Sequence, residues 1–336
     1  MSSTTSIGSG TTLRPTTPFD ASDFYWLHLR AKTTSCEATS RFLLLHGWLQ
    51  DQTAWGRLPQ RLLEHYGGEV ILLDFFGMGR SPDPPEVRDL TPDLLLQQVE
   101  CCARKAGWLE DDSNRKIVVA GMSLGGGIGL RFASRHVHLI ERIVLVAPSA
   151  LPDTRTLSVV HWAGRGFTER IGLGAPPRLL NPAESIFKPI VSAVGRTAKL
   201  LDRGRRRGLL HRIACNANLV QHAPNYGCSW EDPQRLADHG VPLSHISAGL
   251  DYVVQPHLSR YICDRVTGVN LLRWPTMTHE WMCTNMDSLK LDKYPQLWTD
   301  VKRNPCYVDY LDDHVLMHDG QWIKPRRRGL MQISRL

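Results

Sequence analysis

The stretch KIVVAGMSLGGGIGL, residues 116 to 130, decides how the rest of the chain is read. Ile117, Val118, Val119 and Ala120 form an unbroken apolar run rich in β-branched side chains. That is the pattern of a strand buried on both faces of a parallel sheet. Gly121, Met122, Ser123, Leu124 and Gly125 follow as G-x-S-x-G, and Leu130, Phe132 and Ala133 continue an apolar stretch suited to a helix. Strand, sharp turn and helix are the setting in which this pentapeptide becomes a nucleophile elbow. Such a turn strains the serine, so its neighbours need little or no side chain, a need that Gly121 and Gly125 meet. Ser123 is then held above the sheet at the positive end of a helix, where developing negative charge is stabilised. Taken alone, the pentapeptide is equally an ordinary glycine turn.

Two upstream stretches narrow the choice. FLLLHGW, residues 42 to 48, ends an apolar strand in His46, Gly47 and Trp48, and VILLDFFGMGRS, residues 70 to 81, runs a second strand into Gly77, Gly79 and Ser81. In this order and spacing, over residues 24 to 290, the chain resembles the α/β-hydrolase family. The resemblance implies an α/β fold with a mostly parallel sheet flanked by helices and an inserted helical cap.

The chain order fits that layout. Residues 1–20 are rich in Ser and Thr, contain Pro15 and Pro18, and have no acid before Asp20; they read as a disordered tail or a poor transit peptide. Residues 21–150 form the first part of the core. Phe24 to Arg30 reads as an edge strand, Phe42 to Leu45 as a buried one, and Val70 to Leu73 as the next. Between them, Trp55, Leu58, Leu62 and Tyr66 recur at helical spacing from Asp51 until Gly67 and Gly68. Thr91, Pro92 and Asp93 announce a helix with a hydroxyl cap, a first-turn proline and an acid at the dipole's positive end. Ile143 to Val146 is another buried strand. From 151 to 235 the strand–helix alternation stops, and a helix carrying Phe187, Ile190, Val191, Val194 and Leu200 reads as part of a cap. The core resumes over 236–290 with a strand in VPLSHISAGLDYVV that Ser244, His245 and Ser247 interrupt. A helix from Gln255 to Val266 and the strand Val269 to Leu272 follow. Residues 291–336 form an extension in which HVLMHDGQWIKP predicts a hairpin turned by Asp319 and Gly320.

A serine hydroxyl needs a base to take its proton and a third group to orient that base. In the family this chain resembles, these follow in the order Ser, acid, His. Asp251 in SAGLDYVV and His279 in PTMTHEW each stand just past a strand, so the resemblance assigns the triad Ser123, Asp251 and His279. It also assigns an oxyanion hole to the backbone N–H groups of Trp48 and Leu124, with the Trp48 side chain either walling an acyl pocket or simply packing. The family often places glycine before the histidine; here Thr278 stands, which puts the loop geometry in question. Asp153 is the substitute acid. His314 and His318 read as surface residues, His46 as structural, and Asp74 as a brace for its own loop. GMGRS is followed by prolines where a dinucleotide-binding helix should open, and GMSLGGG lacks the lysine of a phosphate-cradling loop. No cofactor or metal is expected.

Composition bounds the partners. The 336 residues are 42% hydrophobic, enough for a full core. They contain no run of eighteen apolar residues and no apolar leader, so neither a transmembrane span nor a secretory signal is expected. The eight cysteines, without C-x-x-C spacing, read as reduced thiols. Net charge is +7, and residues 151 to 235 hold thirteen Lys and Arg against six Asp and Glu. The cluster Arg203, Arg205, Arg206 and Arg207 is either a solvated face or an attraction to phosphate-bearing substrates or a weak membrane-surface contact. Nothing in the pattern supports nucleic-acid binding. The chain ends in Ser334, Arg335 and Leu336, close to the peroxisomal S-K-L address, with Arg326 to Arg328 upstream. The expected location is therefore peroxisomal through the import receptor, with cytoplasmic as the alternative.

The resemblance implies a serine hydrolase acting on a carboxylic ester of lipid or acyl type. An acyl-CoA thioesterase and a carbon–carbon bond hydrolase use the same residues, and a non-catalytic binding protein would keep the fold. Fold does not choose among them.

Overall fold

Strands form where apolar runs can be covered on both sides. The computed structural model describes residues 19–31, 40–111, 115–150, 207–220, 222, 226–251, 253–254, 262, 266, 269–274, 276–299, 315–316 and 322–323. Among the described residues, seven strands make one sheet: β1 (Trp26–Arg30), β2 (Arg41–Leu45), β3 (Glu69–Leu73), β4 (Ile117–Met122), β5 (Ile140–Val146), β6 (Leu243–Ala248) and β7 (Val269–Trp274). Their order is β1-β3-β2-β4-β5-β6-β7. Only β1 runs antiparallel, pairing Trp26 with Leu73 at the edge; the other neighbours are parallel. The strand order reverses beside β4, and ligands of such sheets gather beyond the carboxyl ends there.

Alternation along the strands divides the core in two. Leu43, Leu45, Ile71, Leu73, Val119 and Leu145 face one side, with helices α2 (Pro92–Lys105) and α3 (Leu124–Arg135) packed on them. Phe42, Leu44, Leu72, Val118, Ala120 and Val144 face the other, where α1 (Leu58–Tyr66) supplies Leu58, Leu62 and Tyr66. Helix α2 starts as its sequence announces: the Thr91 hydroxyl accepts from the Leu94 N–H at 3.2 Å, and Pro92 stands in the first turn. The single helix expected from Asp51 to Tyr66 is instead a 3-10 turn, Gln52–Trp55, followed by α1. Gly56 separates them at φ +57°, and a Cβ there would run into the Asp287 carboxylate.

Two expected domain limits do not coincide with the packing. The stretch 151–206, with most of the expected cap, its helix and Asp153, lies outside the described residues. From α4 (Arg207–Val220) onward, Cys215, Leu219, Tyr226, Cys228 and Leu236 join the apolar cluster of the first face, and the expected limit at 235 falls inside α5 (Glu231–Asp238). At the other end, packing runs past residue 290. Leu291, Leu297 and Trp298 are buried on the second face. The Trp298 indole donates to the Leu291 carbonyl at 2.7 Å, and Arg142 near the start of β5 donates to the Gln296 carbonyl at 2.7 Å. Large aromatic surface needs a partner, and this segment supplies it. The expected hairpin pairs Val315 with Ile323 and Leu316 with Trp322; its turn lies outside the described residues, as does most of the helix expected from Gln255. Among the described residues, no helix is long and apolar enough to cross a membrane.

At the amino end of β3, Glu69 accepts from the Trp108 indole at 3.1 Å and from Arg115 at 2.9 Å, and bonds the His28 ring at 2.7 Å. Burial pushes its pKa up, but these three partners outweigh it and bring it down to about 2. A carboxylate held below its ordinary value stabilises the fold above that value, and the contribution is lost as pH falls through the folded pKa. Glu69→Gln should therefore cost about 1–2 kcal/mol at pH 7 after allowance for solvent screening. Urea unfolding should show the gap to wild type closing between roughly pH 4.5 and 2; a gap independent of pH would assign the loss to packing.

Candidate active site

Ser123 is the residue between β4 and α3, at φ +48° and ψ −118°. A non-glycine residue pays strain to stay there, and the turn around it is pinned. Its N–H donates to the Val146 carbonyl at 2.9 Å, while its own carbonyl accepts from the N–H groups of Gly126 and Ser149, each at 2.9 Å. The flanking glycines are there for space. A Cβ on Gly121 would collide with the Gly125 carbonyl, and one on Gly125 with the carbonyls of Leu45 and His46. The sequence's expectation of a strained serine between bare neighbours is what the backbone shows.

Parallel strands bring three distant residues to one edge. Asp251 follows β6, and His279 follows β7 as the first residue of the short helix α6 (His279–Thr284). The Ser123 Oγ lies 3.0 Å from His279 Nε2, and His279 Nδ1 lies 2.8 Å from Asp251 Oδ2. Since a carboxylate only accepts, Nδ1 carries the proton and Nε2 is the acceptor facing the hydroxyl. The other Asp251 oxygen accepts from the N–H groups of Val253 at 2.9 Å and Val254 at 2.7 Å. Both of its oxygens are therefore committed. All three side chains are buried. Burial alone would lower the His279 pKa; its bond to Asp251 and the adjacent Cys283 outweigh this and hold it above the ordinary imidazole value.

Thr278, where a glycine was the alternative, sits in extended backbone at φ −93° and caps α6, its hydroxyl accepting from the Trp281 N–H at 3.3 Å. No left-handed residue is required, so threonine serves as the helix start. Its place before His279 is thus an ordinary helix cap.

The remaining expected residues fall as follows. Leu124 opens α3, and its N–H belongs to the first turn, where a helix has no internal acceptor. Trp48 stands in the turn after β2. Its indole packs against the first core cluster and donates to Asn216 Oδ1 at 3.0 Å. His46 is fully buried and neutral: Nδ1 donates to the Gly47 carbonyl at 2.7 Å and Nε2 accepts from the Phe75 N–H at 3.0 Å. Burial lowers its pKa, despite the carbonyl of Gly47. It is a spacer between the ends of β2 and β3. Asp74 braces more than its own loop, accepting from the Gln52 and Arg80 N–H groups at 2.8 Å each. His314 and His318 lie outside the described residues. Among those described, no three His, Cys, Asp or Glu side chains converge as a metal-ligand set.

Sequence reasoning did not single out Asn216 or Gln50. Asn216, buried in α4, also donates to the Gly77 carbonyl at 2.9 Å and so ties that helix to two loops of the edge. An asparagine inside an apolar helical face is the signal that was available. Gln50 had none, being one more polar residue in a loop.

Residues 42–288 match the sequence model described as Alpha/beta hydrolase family. Over 254 residues the chain is 26% identical to a pimeloyl-[acyl-carrier protein] methyl ester esterase of Aromatoleum aromaticum, covering 75% of this chain and 88% of that relative. Over 108 residues it is 32% identical to a serine hydrolase-like protein of Dictyostelium discoideum, covering 32% of this chain and 28% of that one. As with several other curated relatives, the chain spans less than half of that protein's length. A solved thermophilic esterase from Thermogutta terrifontis superposes with a TM-score of 0.55 at 17% identity, over 82% of this chain and 94% of that one. At that identity the likeness is one of fold.

Proposed function

The chain belongs to the alpha/beta hydrolase family, and on that premise we propose that it is a serine hydrolase cleaving carboxylic esters through an acyl-enzyme on Ser123. The observation that carries the reading is the continuous hydrogen-bonded line from Asp251 through His279 to the Ser123 hydroxyl. In the first step the hydroxyl oxygen attacks the ester carbonyl while His279 Nε2 takes its proton. Asp251 stabilises the resulting imidazolium and keeps the ring in the productive tautomer. The carbonyl oxygen, now an anion, is met by the N–H groups of Trp48 and Leu124; each such donor is worth about 3–4 kcal/mol in comparable sites. His279 then returns the proton to the departing alcohol, and water repeats the sequence to free the acid.

An ester of lipid or acyl type is the substrate class. Its support is the methyl ester esterase that matches three quarters of this chain. An acyl-CoA thioester is the second reading, favoured by the arginines at 203 and 205 to 207, which would suit phosphates. The proposed location is the peroxisome, on the strength of Ser334, Arg335 and Leu336.

Three outcomes test these readings. A fluorophosphonate probe should label the wild-type enzyme, and Ser123→Ala should abolish labelling and turnover with the unfolding midpoint unchanged; persistent labelling would move the nucleophile elsewhere.

The second outcome is a pH profile. Activity needs neutral His279, and its raised pKa puts the acid limb of kcat/KM above the free-imidazole value of about 6.5. Asp251→Asn should shift that limb to lower pH and cut kcat about 1,000-fold or more. An unshifted limb would assign the acid to another residue.

The third concerns address. A fluorescent protein fused ahead of residue 1 should give punctate signal coincident with a peroxisomal marker, and deletion of residues 334–336 should disperse it without loss of esterase activity. A diffuse signal from the full chain would place the enzyme in the cytoplasm.

A further inference from the structure

The turn that carries Trp48 is short of anchors of its own. It closes through the Gln50 N–H, which donates to the Gly47 carbonyl at 3.3 Å. At its tip Leu49 stands at φ +58°, a conformation costly for a leucine. That side chain is 62% exposed, so packing of Leu49 does not hold the backbone in place.

The Trp48 indole is held by Asn216 and the Gly47 carbonyl by His46, and one carboxamide ties the turn to the helix that carries His279. Gln50 Oε1 accepts from the Gly47 N–H at 2.9 Å, and Gln50 Nε2 donates to the Cys283 carbonyl at 2.8 Å. Gly47 leaves the room for this: a Cβ there would meet the Gln50 carboxamide and crowd the Ser123 Cβ. Cys283 lies in the last turn of α6, whose carbonyls have no partner within the helix, and His279 is the first residue of that helix. A single side chain thus spans the turn presenting the Trp48 N–H and the helix presenting the His279 imidazole.

We propose that Gln50 is a positioning residue for ester hydrolysis, a clamp that fixes the Trp48 N–H relative to His279 Nε2 through its bonds to Gly47 and Cys283. The inference rests on the reading of Ser123, His279 and Trp48 given above. The Gln50 carboxamide makes its bonds to Gly47 and Cys283, not to the hydroxyl or the imidazole. Its amide is suited to the task because it accepts at one atom and donates at the other. Glutamate at this position keeps the acceptor for Gly47 but sets a carboxylate against the Cys283 carbonyl. Leucine keeps the approximate volume and loses both bonds.

The clamp matters in the transition state, where the oxyanion must meet its donor while the base holds the proton. Loss of an oxyanion donor outright costs about 100- to 1,000-fold in kcat, and a donor left in place but misaligned should cost less, about 10- to 100-fold. KM should stay within about threefold, because the ground-state ester does not use that geometry.

The experiment measures p-nitrophenyl butyrate hydrolysis and inhibition by a matching alkyl trifluoromethyl ketone, for wild type, Gln50→Glu and Gln50→Leu. The ketone forms a tetrahedral adduct and so reports oxyanion geometry. The expected result is a kcat loss in each folded variant with KM nearly constant, and a ketone Ki that rises in proportion to the loss of kcat/KM. Should Gln50→Leu fail to fold, Gln50→Glu, close to isosteric, carries the comparison. The clamp is overturned if kcat and Ki stay within twofold of wild type. It is equally overturned if activity falls only in step with thermal stability while Ki is unmoved. A wild-type enzyme that neither hydrolyses the ester nor binds the ketone would bring down the reading of the site, and the clamp with it.

Discussion

Gly125 lies so close to the carbonyl oxygens of Leu45 and His46 that a methyl group could not be placed between them. That approach sets how near α3 can come to the ends of β2 and β4, and the rest of the edge takes its dimensions from it. With the helix this close, Ser123 must turn through a left-handed conformation, and its hydroxyl emerges beside the turn after β2. Any side chain at Gly121 or Gly125 would lift the helix and break the line from Ser123 to His279. Interiors this densely packed do not absorb an extra methyl by small adjustments.

Around this fixed point the loops are held by polar side chains as well as by Phe75, Phe76, Met78 and Leu90, which join the first core cluster. Asp74 gathers the backbones of Gln52 and Arg80, and its carbonyl accepts from Gln98 at 2.8 Å and Ser81 at 2.5 Å. His46 joins the ends of β2 and β3. Arg212 of α4 reaches Asp83 at 2.9 Å, and Asn218 reaches the Leu90 carbonyl at 3.2 Å. Most of these bonds satisfy backbone groups, and one left buried and unpaired would cost about 1–3 kcal/mol. The polar bonds thus add direction to an edge that the apolar core already holds.

Much of this could be read from the sequence, for identifiable reasons. Strands with unbroken apolar runs, such as Phe42 to Leu45 and Ile117 to Ala120, announce themselves because nothing polar dilutes the pattern. Thr91, Pro92 and Asp93 mark a helix start through local chemistry alone. The family resemblance assigns Ser123, Asp251 and His279, and it does so at positions that each follow a strand, which parallel strands bring to one edge. By contrast, β6 looked weak: Ser244, His245 and Ser247 dilute it, yet β5 and β7 pair with it on both sides and all three are buried. Partners distant in the chain made that strand. The break at Gly56 depends on Asp287, the burial of Trp298 on Phe42, and the seat of Gln296 on Arg142, pairings that no local window contains. Gln50 is illegible for the same reason.

Trp298 fixes where the last long run of the described chain is fastened to the sheet. Its ring lies 6.2 Å from that of Phe42, near the start of β2, and its neighbour Gln296 is fastened to Arg142, near the start of β5. Both contacts are at the amino ends of strands, whereas Ser123, Asp251 and His279 follow carboxyl ends. Strands of this length separate the two edges by roughly 15–20 Å. Residues 296–298 thus close the sheet at its amino rim, away from the strand ends that carry Ser123, Asp251 and His279.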